Sequence, residues 1–262
     1  MIEDKKVLMK LNECIEKNKL VAMVIIINTD GSTPRGVGST MLVDDEGNLI
    51  EGTIGGGVLE EKSKQDAMGC IKRGKSTLIE YNLDSSSENS NTLPMTCGGN
   101  VSVFIKVYKP REKLVIAGAG HVSEKVSRLA NLLGYSVTIL DDREERLTHE
   151  IFPDVDNLIF GAIADNLNKE NIDRNTFVII ATHGHRYDQD ALEAVLESDA
   201  KYIGMIGSIN KIRVCFSNLL ANGYTKEQLS RVYTPIGIDI GGETPEEIAL
   251  AVMAEVQAVK YE

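Results

Sequence analysis

The groups in this chain that suit chemistry gather at turns. Three of its four histidines, His121, His183 and His185, stand just after apolar runs that read as strands. An imidazole that titrates near neutrality fits acid–base work or a hydrogen bond to a polar ligand. His183 and His185, with Asp188 close behind, also have an HxH spacing that a metal would accept, but no third histidine is near enough in sequence to fix a geometry. His149 stands apart and reads as a surface residue. Cys97 follows Asp84-Ser-Ser-Ser-Glu-Asn-Ser-Asn-Thr92, a polar stretch without apolar anchors that reads as a mobile loop, and it precedes two glycines. A thiol in that setting is a candidate nucleophile, persulfide carrier or metal ligand. Anion-binding groups stand around these. Ser32, Thr33 and Arg35 offer hydroxyls and a guanidinium fork, while Gly55, Gly56 and Gly57 leave bare N–H groups at a helix start. Lys211 and Arg213 add positive charge for phosphate.

A second glycine turn organises the part of the chain that carries the three histidines. Leu114-Val-Ile-Ala117 suits a strand buried on both faces, Gly118-Ala-Gly120 breaks it, and Val126, Leu129, Ala130 and Leu133 then recur at helical spacing. In such a strand–turn–helix unit Gly118 permits the sharp turn and Gly120 lets the backbone approach a pyrophosphate. A second strand, Ser136 to Leu140, ends in Asp141 and Asp142, about 20 residues on, where a carboxylate accepts from a ribose hydroxyl. Ser123 takes the place of the third small residue, and His121 is an unusual side chain within the turn.

Further strands are predicted at 157–161, 176–182, 202–207 and 232–236, alternating with helical patterns. The rhythm implies a mostly parallel, doubly wound sheet. In an open parallel sheet ligands lie beyond the carboxyl ends of the strands, so His121, Thr182 to Asp188, Gly207 to Lys211 and Gly237 to Glu243 converge on one edge. Thr244, Pro245 and Glu247 mark a capped final helix. Before residue 109 the pattern is that of a smaller α+β domain. It opens with a docking helix over 3–18 that carries Val7, Leu8, Leu11 and Ile15 on one face. A strand at 20–28, a hairpin around Gly47, a helix ending at Gly74, and strands at 76–83 and 101–108 follow. Lys109-Pro-Arg-Glu-Lys113 reads as the linker, giving domains 1–109 and 110–262.

Composition narrows the partners. A formal net charge of −11 sets the long-range field against nucleic acid and anionic membrane surfaces, so phosphate must be held by local donors. No apolar run is long enough for a signal peptide or a membrane span, which predicts a cytoplasmic protein. The four cysteines lack disulfide or zinc spacing, and Cys14, Cys70 and Cys215 read as small buried hydrophobes.

Seven stretches together resemble the XdhC/CoxI family of accessory proteins for xanthine dehydrogenase-type molybdenum hydroxylases. They are Gly31-Ser-Thr-Pro-Arg-Gly36, Ile54-Gly-Gly-Gly-Val-Leu-Glu60, Cys97-Gly-Gly99, Gly118-Ala-Gly-His121, Thr182 to Asp188, Tyr202-Ile-Gly-Met-Ile-Gly-Ser208 and Pro235 to Ile248. The resemblance implies a family-specific amino-terminal domain, a Rossmann domain and a homodimer. It also implies a carrier that binds and protects the molybdenum cofactor, helps a cysteine desulfurase exchange an oxo for a sulfido ligand, and delivers the cofactor to an apo molybdenum hydroxylase. Two departures stand out: Ile209-Asn-Lys-Ile-Arg213 is less basic than the family's usual cluster, and Ser123 replaces the third small residue.

The two lines of reasoning meet at a diphosphate, because molybdopterin in its dinucleotide form presents one, as NAD(P) does. The combined expectation puts Gly118, Gly120, His121, Asp141, His183, Ser208 and Glu243 at the nucleotide. Ser32, Thr33, Arg35, Gly55 to Gly57 and Cys97 are expected at the pterin or the molybdenum. Two other functions compete: an NAD(P)-dependent oxidoreductase with His121 or His183 as proton donor, and a nucleotide-sensing regulator.

Overall fold

The computed structural model describes residues 2–83, 92–93 and 98–262, apart from the side chains of Ile2 and His185. Cys97 and nearly all of the polar 84–92 loop therefore lie outside the described residues. The chain forms two compact units, residues 1–110 and 111–262.

In the first unit a five-stranded antiparallel sheet is covered by one helix on each face. Its helices are α1 (Ile2–Glu16) and α2 (Gly57–Arg73), and its strands are β1 (Val21–Asp30), β2 (Thr40–Asp44), β3 (Leu49–Gly52), β4 (Thr77–Asn82) and β5 (Asn100–Tyr108). The order is β3-β2-β1-β5-β4. Alternate residues of β1 serve opposite faces, as a period of two requires: Ala22, Val24 and Ile26 pack with Leu59, Ala67 and Ile71 of α2, while Val21 and Met23 pack with Val7, Leu11 and Cys14 of α1. The buried stripe of α1 is rotated from the predicted one, for Leu8 and Ile15 stay about half exposed and Cys14 turns inward. The chain leaves α1 through Asn18 at a φ of 53° and leaves α2 through Gly74 at 61°, both left-handed stops.

The second unit is wholly parallel. Its strands are β6 (Lys113–Ala117), β7 (Ser136–Asp141), β8 (Asn157–Phe160), β9 (Thr176–Ile180), β10 (Tyr202–Met205) and β11 (Val232–Tyr233). The sheet order is β11-β10-β9-β6-β7-β8. Counted within this unit and from the other edge, that is 3-2-1-4-5-6, the Rossmann order, with the reversal between β6 and β9. Helices α3 (His121–Leu132) and α8 (Pro245–Tyr261) cover one face through Val126, Ala130, Val252 and Val256. Helices α4 (Ile163–Leu167), α5 (His185–Val195), α6 (Ile209–Ala221) and α7 (Lys226–Ser230) cover the other through Leu167, Leu192, Leu219 and Leu229. Strand β11 is shorter than its β-rich sequence suggests because Pro235 has no N–H to extend the ladder. Thr244 and Glu247 form the expected capping box of α8. Among the described residues no helix is long and apolar enough to cross a membrane.

Candidate functional site

Strand β6 empties into the glycine turn at the point where the strand order reverses. Gly118 has a φ of 113°, and a β-carbon there would stand 2.3 Å from the carbonyl oxygen of Ala181 and 2.9 Å from Cα of Thr182. No side chain fits, so glycine is required both by conformation and by the approach of the chain leaving β9. Gly120 is extended, at φ −82° and ψ −179°, and a β-carbon on it would meet nothing within 4 Å. It is the N-cap of α3, and no side chain caps that helix. The first turn of α3 thus presents N–H groups and the positive end of the helix dipole on an open side. His121 opens the helix and is exposed, whereas Ser123 is buried in the position where the third small residue packs. The hydroxyl oxygen of Ser123 has no hydrogen-bond partner.

Asp141 stands behind this turn. It is fully buried, and its carboxylate accepts from the N–H of Ala119 at 2.6 Å and the N–H of Arg143 at 2.9 Å. The Arg143 guanidinium completes the shell with Nε and Nη2, each at 2.8 Å. Burial alone would raise this carboxyl, but Arg143 and the two backbone N–H groups outweigh it and hold Asp141 below the usual carboxylate range. The side chain expected to accept from a ribose is therefore turned onto the protein's own turn. Arg146 braces the same turn from Nε to the Ala119 carbonyl, at 3.0 Å.

Asp142, the next residue, faces the edge. Its Oδ1 is shielded from solvent without a hydrogen-bond partner and lies 3.8 Å from Nδ1 of His183. The His183 ring rests on Tyr187 with centroids 4.5 Å apart. Among the described residues, Asp141, Asp142 and His183 bring one ligand atom each to within 4.8 Å of one another. As a cation site this is poor, because Asp141 already carries four donors, which leaves two ligands where a transition metal wants four.

The following strand ends form a separate network. Asp188 is buried and accepts from the N–H and hydroxyl of Thr182 at 3.1 and 2.7 Å. Its other oxygen is ion-paired with Lys211, so the lysine expected at a phosphate is committed inside the protein. Ser208 caps α6 by accepting from the Lys211 N–H. Arg213 and Glu243 are exposed, and the Glu243 N–H donates to Glu247 at 3.0 Å. Cys215 is buried, which pushes its thiol up to about 11 and makes it a packing residue.

In the first unit the predicted motifs meet. Ser32 bridges to Gly98, Gly31 faces Gly99, and Gly55 lies against Pro34 and Arg35 so closely that a β-carbon on it would be 2.6 Å from the Pro34 side chain. Ser32 and Arg35 are exposed; Arg35 pairs with Glu3 at 3.2 Å, and the Thr33 hydroxyl donates to the Arg35 carbonyl. The glycine N–H groups are not bare as expected. Glu60, in the first turn of α2, folds back so that its carboxylate accepts from Ile54 and Gly56, each at 3.2 Å, and from the Thr53 hydroxyl at 2.5 Å. The Gly55 N–H goes to the Thr53 hydroxyl, which leaves Gly57 as the exposed end of the run. Glu60 belongs to the Ile54–Glu60 motif, yet its spacing from Gly56 gives no sign that it caps the turn itself.

The family model described as the XdhC Rossmann domain matches residues 114–256, and that of the XdhC and CoxI family matches residues 14–82. The chain is 35% identical over 249 residues to "Uncharacterized protein YqeB" of Escherichia coli K12, covering 94% of this chain and 44% of that relative. This chain thus spans less than half the length of that relative. It is 24% identical to a probable xanthine dehydrogenase component of Bacillus subtilis, covering 94% of this chain and 95% of the relative. It is 21% identical to "Molybdenum cofactor insertion chaperone PaoD" of Escherichia coli K12, covering 95% and 86%. A solved structure described as a xanthine dehydrogenase from Bacillus halodurans shares the fold, with a TM-score of 0.54, 23% identity, and coverage of 97% of this chain and 95% of that one.

Proposed function

The chain belongs to the XdhC and CoxI family, and from that membership we propose that it is a carrier for the molybdenum cofactor, held in its dinucleotide form. The observation that carries this reading is the uncapped start of α3, open at Gly120, at the reversal point of a Rossmann sheet. A diphosphate there meets backbone N–H groups and the helix dipole, which a chain of net charge −11 needs in place of a basic surface. The relative named as a molybdenum cofactor insertion chaperone supports cofactor rather than nicotinamide as the cargo.

On this reading Gly118, Ala119, Gly120 and the first turn of α3 hold the diphosphate. Ser32, Thr33, Arg35, Gly57 and Cys97 are the first unit's groups for the pterin and the molybdenum. Gly55 and Gly56 shape that loop rather than donate, since their N–H groups are already taken. The bound cofactor supplies the oxo or sulfido molybdenum centre that a hydroxylase uses. The protein's part is to bind it, shield it, present it to a cysteine desulfurase and release it to an apo molybdenum hydroxylase, acting in the cytoplasm as a homodimer and without turnover of its own.

Titration of the purified protein with molybdenum cofactor tests the reading, with Gly120→Asp and Cys97→Ser as variants. Loss of affinity in the first and a changed molybdenum spectrum in the second are expected; unchanged binding in both removes the proposal. The Rossmann order also supports a second reading, an NAD(P)-dependent oxidoreductase with His121 or His183 as proton donor. Enhanced nicotinamide fluorescence on binding NADH, together with hydride transfer, would favour it over the carrier.

A further inference from the structure

We infer that the first unit carries a surface for a second copy of this chain, in which each copy lays its α1 on the half of the other's antiparallel sheet that its own helices leave open. This rests on the homodimer in the reading above, and not on what that dimer carries.

The two faces of this sheet are covered unequally. On the α2 side the core draws on β1, β2, β4 and β5, with Tyr81, Val101, Val103 and Ile105 all buried. On the other side α1 lies over β2 and β3, and exposure rises away from it. Met23 of β1 is buried, Ile25 and its partner Phe104 are half-buried, and Leu78, which pairs with Phe104, is 53% exposed. Directly opposed residues of an antiparallel pair share a face, so Ile25, Phe104 and Leu78 form one apolar row across β1, β5 and β4. An apolar face is stable when another layer covers it, and here half of that layer is missing.

The bare half has the width of one helix. Its three strands span about 10 Å from β1 to β4, and a second helix beside α1 needs about 8 to 10 Å. It also has an apolar wall. Lys10, Glu13 and Lys17 line one cavity with Asp44, Asp45 and Glu46, so that flank of α1 faces the β2–β3 hairpin. Leu8 and Ile15, 59% and 49% exposed, fall on the opposite flank, towards β5.

The helix that suits this place is α1 itself. A two-fold axis parallel to the strands sets two copies of α1 side by side and parallel between two sheets, each resting on the open half of the other's sheet. Leu8 and Ile15, one heptad apart, then meet their own counterparts along the seam. The side of α1 opposite Val7, Leu11 and Cys14 carries Lys5, Met9 and Glu16, all exposed. The open half carries charge in the matching order. Glu80 pairs with Ser102 on one side of the apolar row, and Lys106 pairs with Met23 on the other. Helix α1 ends beside Asp44, at the Val21–Tyr108 end of the sheet, which is also the end where Lys106 stands. The two-fold therefore brings Glu16 of one copy towards Lys106 of the other, Met9 onto Phe104 and Leu78, and Lys5 towards Glu80. Among the described residues Lys5, Glu80 and Lys106 have no ion-pair partner; Lys106 lies over the Tyr108 ring, and Glu16 accepts from the Asn12 amide. Chains of net charge −11 repel at long range, so a contact between copies has to be apolar with its charges paired, as this one is.

Sedimentation of the full chain over a concentration series tests this. The wild type should form a dimer, and Leu8→Lys with Ile15→Lys should make it a monomer that keeps its helical signal, since both side chains already stand about half in water. Lys106→Glu should weaken the dimer about 10-fold through two symmetry-related contacts that turn repulsive. Adding Glu16→Lys should restore it, which a folding defect would not allow. In a Cys97→Ser background, Leu8→Cys should give a disulfide-linked dimer on mild oxidation, because the axis passes between the two copies of this residue. A wild type that is monomeric at every concentration overturns the inference and the homodimer together, while cofactor titration still judges the carrier. A dimer that survives the lysine pair, a Lys106→Glu loss that Glu16→Lys does not repair, or a Leu8→Cys chain that stays unlinked overturns the surface and leaves the homodimer standing.

Discussion

The two glycine-rich helix starts of this molecule share a sequence pattern and end up differently. Each enters its helix through an N-cap glycine, Gly56 or Gly120, and each carries a glutamate at the fourth helical position, Glu60 or Glu124. In the first unit Glu60 folds back and takes the Gly56 N–H. In the second, Lys125 and Arg128 hold Glu124 on the flank of α3, each at 3.1 Å, so the N-cap stays clear. The first helix lacks that arrangement, since residue 61 is another glutamate and Lys64 pairs with it. The backbones differ as well, since the chain enters α2 through Gly56 at a φ of 71° and α3 through Gly120 at −82°, and the result is one self-occupied turn and one that is open to an anion. Glycine content alone does not make an anion site; the path of the backbone and the neighbours of the first acidic residue together set whether the protein supplies the anion itself.

The largest effect should come from the backbone. Gly118→Ala forces a β-carbon against Ala181 and Thr182 at a φ of 113°. A cost of about 3 kcal/mol or more in the stability of the second unit is expected. Gly57→Ala, at a φ of 61° with nothing within 4 Å, should cost only about 1 kcal/mol. Urea unfolding of both variants checks the contrast, and equal losses would break the distinction between a turn packed on a strand end and an open one.

Gly120→Asp comes next and acts on binding alone. It places a carboxylate at the mouth of α3, as Glu60 does at α2. Affinity for a nucleoside diphosphate should fall about 100-fold, or about 2.7 kcal/mol. The melting temperature should hold or rise slightly, because aspartate is a good N-cap and a β-carbon at this position meets nothing within 4 Å. A variant that loses binding by unfolding would instead melt early.

Much of this was legible in the sequence, and what was not has a physical cause. The Gly118-Ala-Gly120 turn, the parallel order and the Thr244 cap follow from local patterns of apolar spacing, glycine and capping residues. The direction taken by a carboxylate does not. Asp141 and Asp142 look equivalent in sequence, and only the paths of the glycine turn and Arg143 make one a brace and leave the other facing the edge. Lys211 reads as a phosphate ligand until α5 brings Asp188 beside it. The face of α1 is legible in part for a related reason: Val7, Leu11 and Cys14 are buried as expected, whereas the docking of α1 on the sheet leaves Leu8 and Ile15 half exposed, which apolar spacing alone does not foretell.

Asp141 gives the third prediction, of about 1 to 2 kcal/mol after allowing for the partly exposed Arg143. Its pKa in the folded state is lowered, so the stability it contributes is present above the unfolded value of about 3.9 and is lost as the pH falls through the folded one. Asp141→Asn lacks that contribution at every pH. The gap between wild type and variant should therefore be full at neutral pH and close below about pH 4. Denaturant titrations at both pH values check the sign, and a gap that widens in acid would mean that the brace is not ionic.

The smallest effect tests the comparison most directly, because it attempts to turn one helix start into the other. Lys125→Ala with Arg128→Ala frees Glu124 from both of its partners. The residue then has the same chain position as Glu60, and the dipole of α3 draws its carboxylate towards the N-terminus. Nucleoside diphosphate affinity should fall about 3-fold, or about 0.7 kcal/mol, by competition from within the protein. Adding Glu124→Gln to the pair should restore it, since an amide competes poorly for that field. Removing two exposed positive charges elsewhere, Lys169→Ala with Arg174→Ala, controls for the long-range change in charge. If this control weakens binding as much, or if Glu124→Gln restores nothing, the flanking cations are not what keeps the turn open.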